Sequence, residues 1–301
     1  MRSARNCPVC DSDATQAAPF LAGNIEREKL TQYSYASRKT PEFMCHHLIR
    51  CKTCDLVYAD QPPSDAELAH AYHEAHYDTP DEASDAALAY IHAIQPALER
   101  LPHHRCALEI GTGTGIFLEH LRQHGFEELV GVEPSLSAIL AAPEERRSWI
   151  RHDVFREEDF APASFDLICC FMTLEHVADP RVIADAAMRL LRPGGAFVSV
   201  AHDYRSPINR LLGKRSPIID IEHMQLFSRS SILSLYRRSG YAEIAASSFK
   251  NRYAIGYWAR LLPLPEKLKA IAQRALTAAR MNRLKLGLNV GNMIAIGFKS
   301  Q

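Results

Sequence analysis

The stretch Cys106-Ala107-Leu108-Glu109-Ile110-Gly111-Thr112-Gly113-Thr114-Gly115 decides the fold. A short apolar run carries an acid near its end, and glycine then recurs at every second position. Ile116, Phe117, Leu118 and Leu121 follow at helical spacing. The pattern reads as a strand, a tight turn and the start of a helix. Alternate glycines let the backbone bend sharply and approach a ligand with no Cβ in the way. The helix N-terminus beyond them offers unpaired N–H groups to that ligand. Such a turn binds a nucleotide-type molecule.

A dinucleotide turn reads G-x-G-x-x-G and is followed about 20 residues later by an acid for the ribose hydroxyls. Here the third glycine comes one residue early. The next apolar run, Glu128-Leu129-Val130-Gly131-Val132, ends at Glu133, where a ribose-binding carboxylate belongs. Arg151-His152-Asp153-Val154 ends a third strand, and Phe165 to Phe171 is a buried fourth, followed by Leu174-Glu175-His176-Val177. Leu190-Leu191-Arg192-Pro193-Gly194-Gly195 is expected to end a helix with a Pro-Gly stop and lead into the strand Ala196 to Val200. Met293 to Phe298 is expected as the final strand.

At these residues the chain resembles the class I S-adenosylmethionine (SAM) methyltransferases, whose first motif is acid-x-G-x-G-x-G. The resemblance is dense over residues 105 to 202 and looser beyond. It implies an α/β fold, a doubly wound Rossmann-like sheet, with SAM across the carboxyl ends of the strands. It also implies a cofactor set of Glu109, Gly111, Thr112, Gly113, Gly115, Glu133, Asp153 and Phe171. In that set the glycine turn takes the methionine portion, Glu133 the ribose hydroxyls and Asp153 the adenine amine. An NAD-dependent enzyme and a SAM-binding module without catalysis are the rival readings.

Cys7-Pro8-Val9-Cys10 and Cys51-Lys52-Thr53-Cys54 are two C-x-x-C pairs. Two such pairs complete a tetrahedral all-thiolate zinc site, and four thiolates leave no open position for catalysis. A structural zinc ribbon is therefore expected over residues 1–62, with redox dithiols as the alternative and Cys45, His46 and His47 as lesser ligands. A helical connector or lid follows at 63–104, starting at the capping-box pattern Ser64-Asp65-Ala66-Glu67. The methyltransferase domain would occupy 105–301, with a helical insertion at about 250–290. Cys106, Cys169 and Cys170 read as core residues, the last two facing opposite sides of their strand.

Asp220-Ile221-Glu222-His223-Met224-Gln225-Leu226-Phe227-Ser228 precedes a helix expected from Ser231 to Ser239. It resembles the E-H-x-x-x-F-S segment of zinc-bearing sugar C-methyltransferases, in which the Glu-His pair lies at the substrate. Asp220 stands where an aromatic residue is expected in those enzymes, and non-sugar methyltransferases carry similar segments. The resemblance implies His223 as general base supported by Glu222, with His176 as second choice; the alternative is a histidine that fixes the loop or caps the following helix. The acceptor expected is a small molecule, a (nucleotide-)sugar or related glycan or natural-product intermediate methylated at O or C, with a lipid-linked or other secondary metabolite, or a non-catalytic SAM- or nucleic-acid-binding module, as the alternatives. Tyr72 and Tyr77 are candidates to face the substrate or simply to pack.

The 35 basic and 35 acidic side chains cancel, so no overall field holds nucleic acid. Residues 1–60 carry eight Lys/Arg against seven Asp/Glu, without a basic stripe. No apolar run approaches the roughly 20 residues of a membrane span. Met1-Arg2-Ser3-Ala4-Arg5 is not followed by an apolar segment, so a cytoplasmic protein is expected. Residues 250–285 hold nine Lys/Arg and one acid, Glu266. That segment is expected to be a solvated helix face, a holder for an anionic small-molecule acceptor, or a peripheral membrane contact.

Overall fold

The computed structural model describes residues 4–31, 33–35, 42–77, 80–262 and 264–301, and at Pro80, Asp81 and Glu266 the backbone alone. The chain opens with strands β1 (Ala18–Leu21), β2 (Leu48–Arg50) and β3 (Val57–Ala59). Helices α1 (Asp65–Glu74) and α2 (Pro80–Leu98) follow. Next come β4 (Cys106–Ile110), α3 (Ile116–Gln123), β5 (Glu128–Glu133), α4 (Leu136–Ala141), α5 (Glu144–Arg147) and β6 (Ile150–His152). The middle of the chain holds β7 (Phe165–Phe171), α6 (Pro180–Leu190), β8 (Leu191–His202) and α7 (Pro207–Leu212). β9 (Gln225–Leu226), α8 (Arg229–Arg238), β10 (Ala242–Ser248), β11 (Asn251–Ala254) and α9 (Ile255–Leu261) come next. α10 (Glu266–Ala278), β12 (Lys285–Leu288) and β13 (Asn292–Phe298) complete the order.

The main sheet runs β10-β13-β8-β7-β4-β5-β6. β4 to β8 pair in parallel, while β13 runs antiparallel to β8 and to β10. Every residue of β4 and β7 is buried, as expected of central strands covered on both faces. Alternation assigns their side chains: Leu108, Ile168 and Cys170 join the core on one face, Ala107, Leu167 and Cys169 the core on the other. The strand order reverses between β4 and β7, so the crevice at their carboxyl ends is the ligand position this topology provides.

The Pro-Gly segment differs from its sequence reading. α6 ends at Leu190, and β8 starts at once at Leu191. Phe165 pairs with Leu191 and Leu167 with Ala196, so the Arg192-Pro193-Gly194-Gly195 turn becomes an irregularity inside one long strand. Gly194 takes φ +79°, and a Cβ on Gly195 would lie 2.9 Å from the Asp166 carbonyl oxygen. Glycine is what lets the strand continue past the irregularity.

β1, β2, β3 and β9 form a second, antiparallel sheet. Its fourth strand comes from the segment following His223, with Val57 opposite Leu226 and Tyr58 opposite Gln225. The cysteine-bearing segment is thus hydrogen-bonded into the region around the crevice. Asp55 reinforces this by accepting from the Tyr204 hydroxyl at 2.8 Å and pairing with the Arg205 guanidinium.

Candidate functional site

The glycine turn is built by close backbone approach. Gly111, Gly113 and Gly115 all have positive φ. A Cβ on Gly111 would sit 2.2 Å from Thr173 Oγ1, whereas one on Gly113 would meet nothing within 4 Å. Gly111 is therefore required by packing, and Gly113 leaves space for a ligand. Glu133, at the end of β5, accepts from Gly113 N–H at 2.7 Å and from Ser135 N–H at 2.8 Å. A carboxylate has lone pairs left beyond these two bonds, and burial pushes its pKa up. Glu109 is buried beneath the turn and accepts from the Thr112 hydroxyl. Burial raises its pKa to about 8, and the nearby Glu133 charge adds to the rise.

These groups face a cavity of about 610 Å³, within the roughly 300–1,000 Å³ usual for small-molecule and cofactor sites. Glu109, Gly111, Thr112, Gly113, Glu133 and Phe171 all line it. Gly115 does not; it starts α3 in a left-handed conformation. Asp153 is also outside the lining, although Val154, Phe155 and Arg156 are in it. Its carboxylate pairs with Arg156 and accepts from Val154 N–H, facing a separate shallow depression.

At the far wall, six titratable groups converge. Glu175 is fully buried just past β7; it accepts from the His202 N–H at 3.0 Å and lies 3.0 Å from His202 Nδ1. Burial alone would raise its pKa, but His202, His223 and His176 together hold it down at about 2. His223 is buried with Nδ1 2.8 Å from the Ile218 carbonyl. That bond requires the proton on Nδ1 and leaves the lone pair on Nε2. Burial lowers the pKa of His223, so the ring is neutral near pH 7. Its ring centre is 4.9 Å from that of His176 and 5.8 Å from that of His202. His176 Nδ1 is 2.8 Å from the Tyr72 hydroxyl and 4.0 Å from a Glu222 oxygen.

The loop bearing these residues is fixed locally. Asp220 accepts from Ile221 N–H and Glu42 N–H, and its carbonyl accepts from His223 N–H. Ser228 is the N-cap of α8 in a reciprocal capping box with Ser231, and Phe227 is fully buried. The Phe-Ser end of the segment is therefore structural, whereas Glu222 and His223 line the cavity.

Glu175, His202, Tyr35, Asn251, Tyr253, Tyr257 and Trp258 also bear on the site and were not singled out for it from sequence. All but Glu175 line the cavity. For His202 there was a usable signal, its place at the carboxyl end of a parallel strand. The others come from distant segments and carry no local pattern. Tyr35 meets Tyr72 edge-on at 5.5 Å, joining the N-terminal segment to α1 over the cavity. Among the described residues, Arg156 is the single Lys or Arg in the lining, against Asp65, Asp179, Asp220 and Glu222 besides the two acids at the turn.

Cys7, Cys10, Cys51 and Cys54 are all buried, with sulfur atoms within 4.8 Å of one another. The Cys7–Cys54 and Cys10–Cys51 separations are both 3.5 Å, close to the ~3.8 Å between sulfurs on a tetrahedral zinc. The two knuckles share one backbone plan. Asp11 donates to the Cys7 carbonyl and Asp55 to that of Cys51, and both residues have positive φ. The donor set fits a zinc ion. Two further sets, Glu175-His202-His223 and His176-Glu222-His223, also bring donor atoms within 4.8 Å.

A family model described as "Methyltransferase domain" matches residues 83–246. A Methylococcus capsulatus protein named ubiquinone biosynthesis O-methyltransferase is 28% identical over 179 residues, 54% of this chain and 75% of that protein. A Neisseria meningitidis protein of the same name is 36% identical over 95 residues, 29% of this chain and 40% of its own length. The chain spans 37% to 56% of six further curated relatives of that name. A solved SAM-dependent methyltransferase from Thermotoga maritima is 21% identical, covering 73% of this chain and 91% of that one, with a TM-score of 0.49.

Proposed function

This chain belongs to the SAM-dependent methyltransferases, and on that premise we propose that it methylates an uncharged, hydroxyl-bearing small molecule. The carrying observation is His223, which is buried, lines the cavity and bonds the Ile218 carbonyl through Nδ1, the tautomer that leaves the lone pair on Nε2. Glu133 and the turn at 111–115 hold SAM, with Glu109 beneath the turn. Asp153 does not itself line the cavity, but Arg156 and Val154, which its carboxylate bonds, do. Bound SAM supplies an electrophilic methyl group, so alignment of the acceptor accounts for much of the rate.

The protein residues orient the acceptor and accept its proton. His223 Nε2 takes the proton from the acceptor hydroxyl, while Ile218 fixes the tautomer. The buried Glu175 carboxylate, ionised at about pKa 2, stabilises the imidazolium that forms. Glu222 and the Tyr72–His176 pair close the site from the lid side. The lining argues against an anionic acceptor, since its acids outnumber its one arginine. This disfavours a nucleotide-linked sugar. The O-methyltransferase names of the relatives support oxygen as the methylated atom. Methylation of a free sugar at carbon is the second reading, motivated by the Glu222-His223 pair and by the four-cysteine cluster. In either reading the cluster binds one structural zinc, which pins the sheet shared by β3 and β9.

The test offers methyl-labelled SAM together with free hydroxylated metabolites and their phosphate esters. Label is expected in the uncharged members, and His223→Ala should lower turnover about 10²–10⁴-fold with little change in SAM affinity. Transfer confined to the phosphate esters, or full turnover in the variant, would overturn the reading.

A further inference from the structure

The insertion between β10 and β13 has two unlike faces. Its inner face carries Tyr253, Tyr257, Trp258 and Leu261, which line the cavity. Its outer face carries an apolar stripe left exposed among the described residues. Along α10 the buried side is Lys269, with Ala272, Gln273 and Leu276 half-buried beside it. Leu264, Leu268, Ile271, Ala275 and Ala278 recur at intervals of three and four and are all exposed. Leu268 is 50% and Ile271 61% exposed, and Met281, Leu284 and Leu286 of the same insertion are exposed as well. Exposed apolar side chains scattered singly need no explanation, but a contiguous group marks an interaction surface.

We propose that this outer face docks on an anionic lipid bilayer. Charge decides the occupant. Residues 250–285 hold nine Lys/Arg and one acid. Arg260 pairs with Glu82, and Lys285 with Asp85 at 2.5 Å. Lys267 and Arg274 flank the apolar stripe of α10 on one side. An apolar stripe bordered by basic side chains is the pattern of a helix lying in the plane of a lipid interface. A second copy of the chain would bring like charges together on the same face. Among the described residues no helix is long and apolar enough to cross a membrane, so contact would be peripheral. Because the inner face of the same insertion walls the cavity, docking places the acceptor site beside the bilayer surface.

Flotation of the full-length protein with vesicles of phosphatidylglycerol and phosphatidylcholine, and of phosphatidylcholine alone, tests this. Binding is expected with the mixed vesicles, much less with phosphatidylcholine alone, and less again as salt rises. Leu268→Asp with Ile271→Asp should weaken binding at least ~10-fold, because each change removes buried apolar contact and adds a repelled charge. Lys267→Glu with Arg274→Glu should do the same without touching the stripe. SAM binding by both variants serves as the folding control, since none of the four side chains lines the cavity. No vesicle binding by the parent protein, or equal binding by both variants, would overturn the proposal. So would a concentration-dependent dimer, lost on Leu268→Asp, in a protein that ignores vesicles.

Discussion

Gly111→Ala isolates the geometric premise of the site. At φ +75° the new residue would occupy the left-handed region, at a cost of about 1–2 kcal/mol for an L-residue. Its Cβ would also stand 2.2 Å from Thr173 Oγ1 and 3.0 Å from Thr173 Cγ2. Thr173 cannot yield freely, because its hydroxyl is within hydrogen-bond distance of the Phe171 carbonyl at 3.0 Å and that of Ile110 at 3.3 Å. Losing that hydroxyl contact adds about 0.5–1.5 kcal/mol, for a total of about 1.5–3.5 kcal/mol. If the unliganded turn keeps its shape, the cost appears as lost stability. If the turn relaxes, SAM must restore it, and the same cost appears as about 10- to 300-fold weaker binding. Denaturant unfolding of the unliganded protein and calorimetric titration with SAM measure the two parts. Adding Thr173→Ala should recover the clash and leave the backbone part. A summed loss below about 1 kcal/mol for Gly111→Ala would refute the reasoning.

Three further outcomes follow from the same geometry. Between about pH 4.5 and 8 the contribution of Glu109 to the stability of the unliganded protein should fall as pH rises, against the opposite slope that His223 gives below about pH 6.5. The folded-state pKa of Glu109 is raised to about 8, so its contribution is complete below the unfolded value and gone above the folded one; Glu109→Gln should remove that fall in pH-dependent melting. His223 has a pKa lowered by burial, so turnover should be flat across neutral pH and fall only below the ordinary histidine range, a profile that moves if the base is another group. The purified protein should contain one zinc per chain by elemental analysis, and Cys10→Ser or Cys51→Ser should release it with a fall in melting temperature. Full thermal stability after strong chelation would exclude a structural ion.

The strand, turn and helix at 106–121 were legible because each is a local pattern. Buried parallel strands read as short apolar runs, a ligand turn needs glycine at fixed offsets, and the two C-x-x-C pairs need close spacing to form a knuckle. The capping box at Ser64 and Glu67 is equally local, and both of its bonds are present. Local patterning also placed Cys169 and Cys170 on opposite faces, since side chains alternate along any strand.

What the sequence could not carry is the meeting of segments far apart in the chain. The place of His202 at a strand end points to the crevice, but nothing in Glu175-His176 or His202 announces that they meet one histidine from a third segment. Ser228 belongs to the segment that resembles the sugar C-methyltransferases, and it caps a helix. Asp153 follows its strand directly, and only the structure shows its carboxylate paired with Arg156. The addition of β9 to the cysteine-bearing sheet depends on backbone hydrogen bonds between residues 57–58 and 225–226. Sequence by itself determined the fold and the cofactor turn, because their signals repeat over a few residues. Tertiary structure decided which groups surround His223, the charge character of the cavity and the exposed stripe on α10, because each depends on which side chains distant segments bury or leave in contact with water.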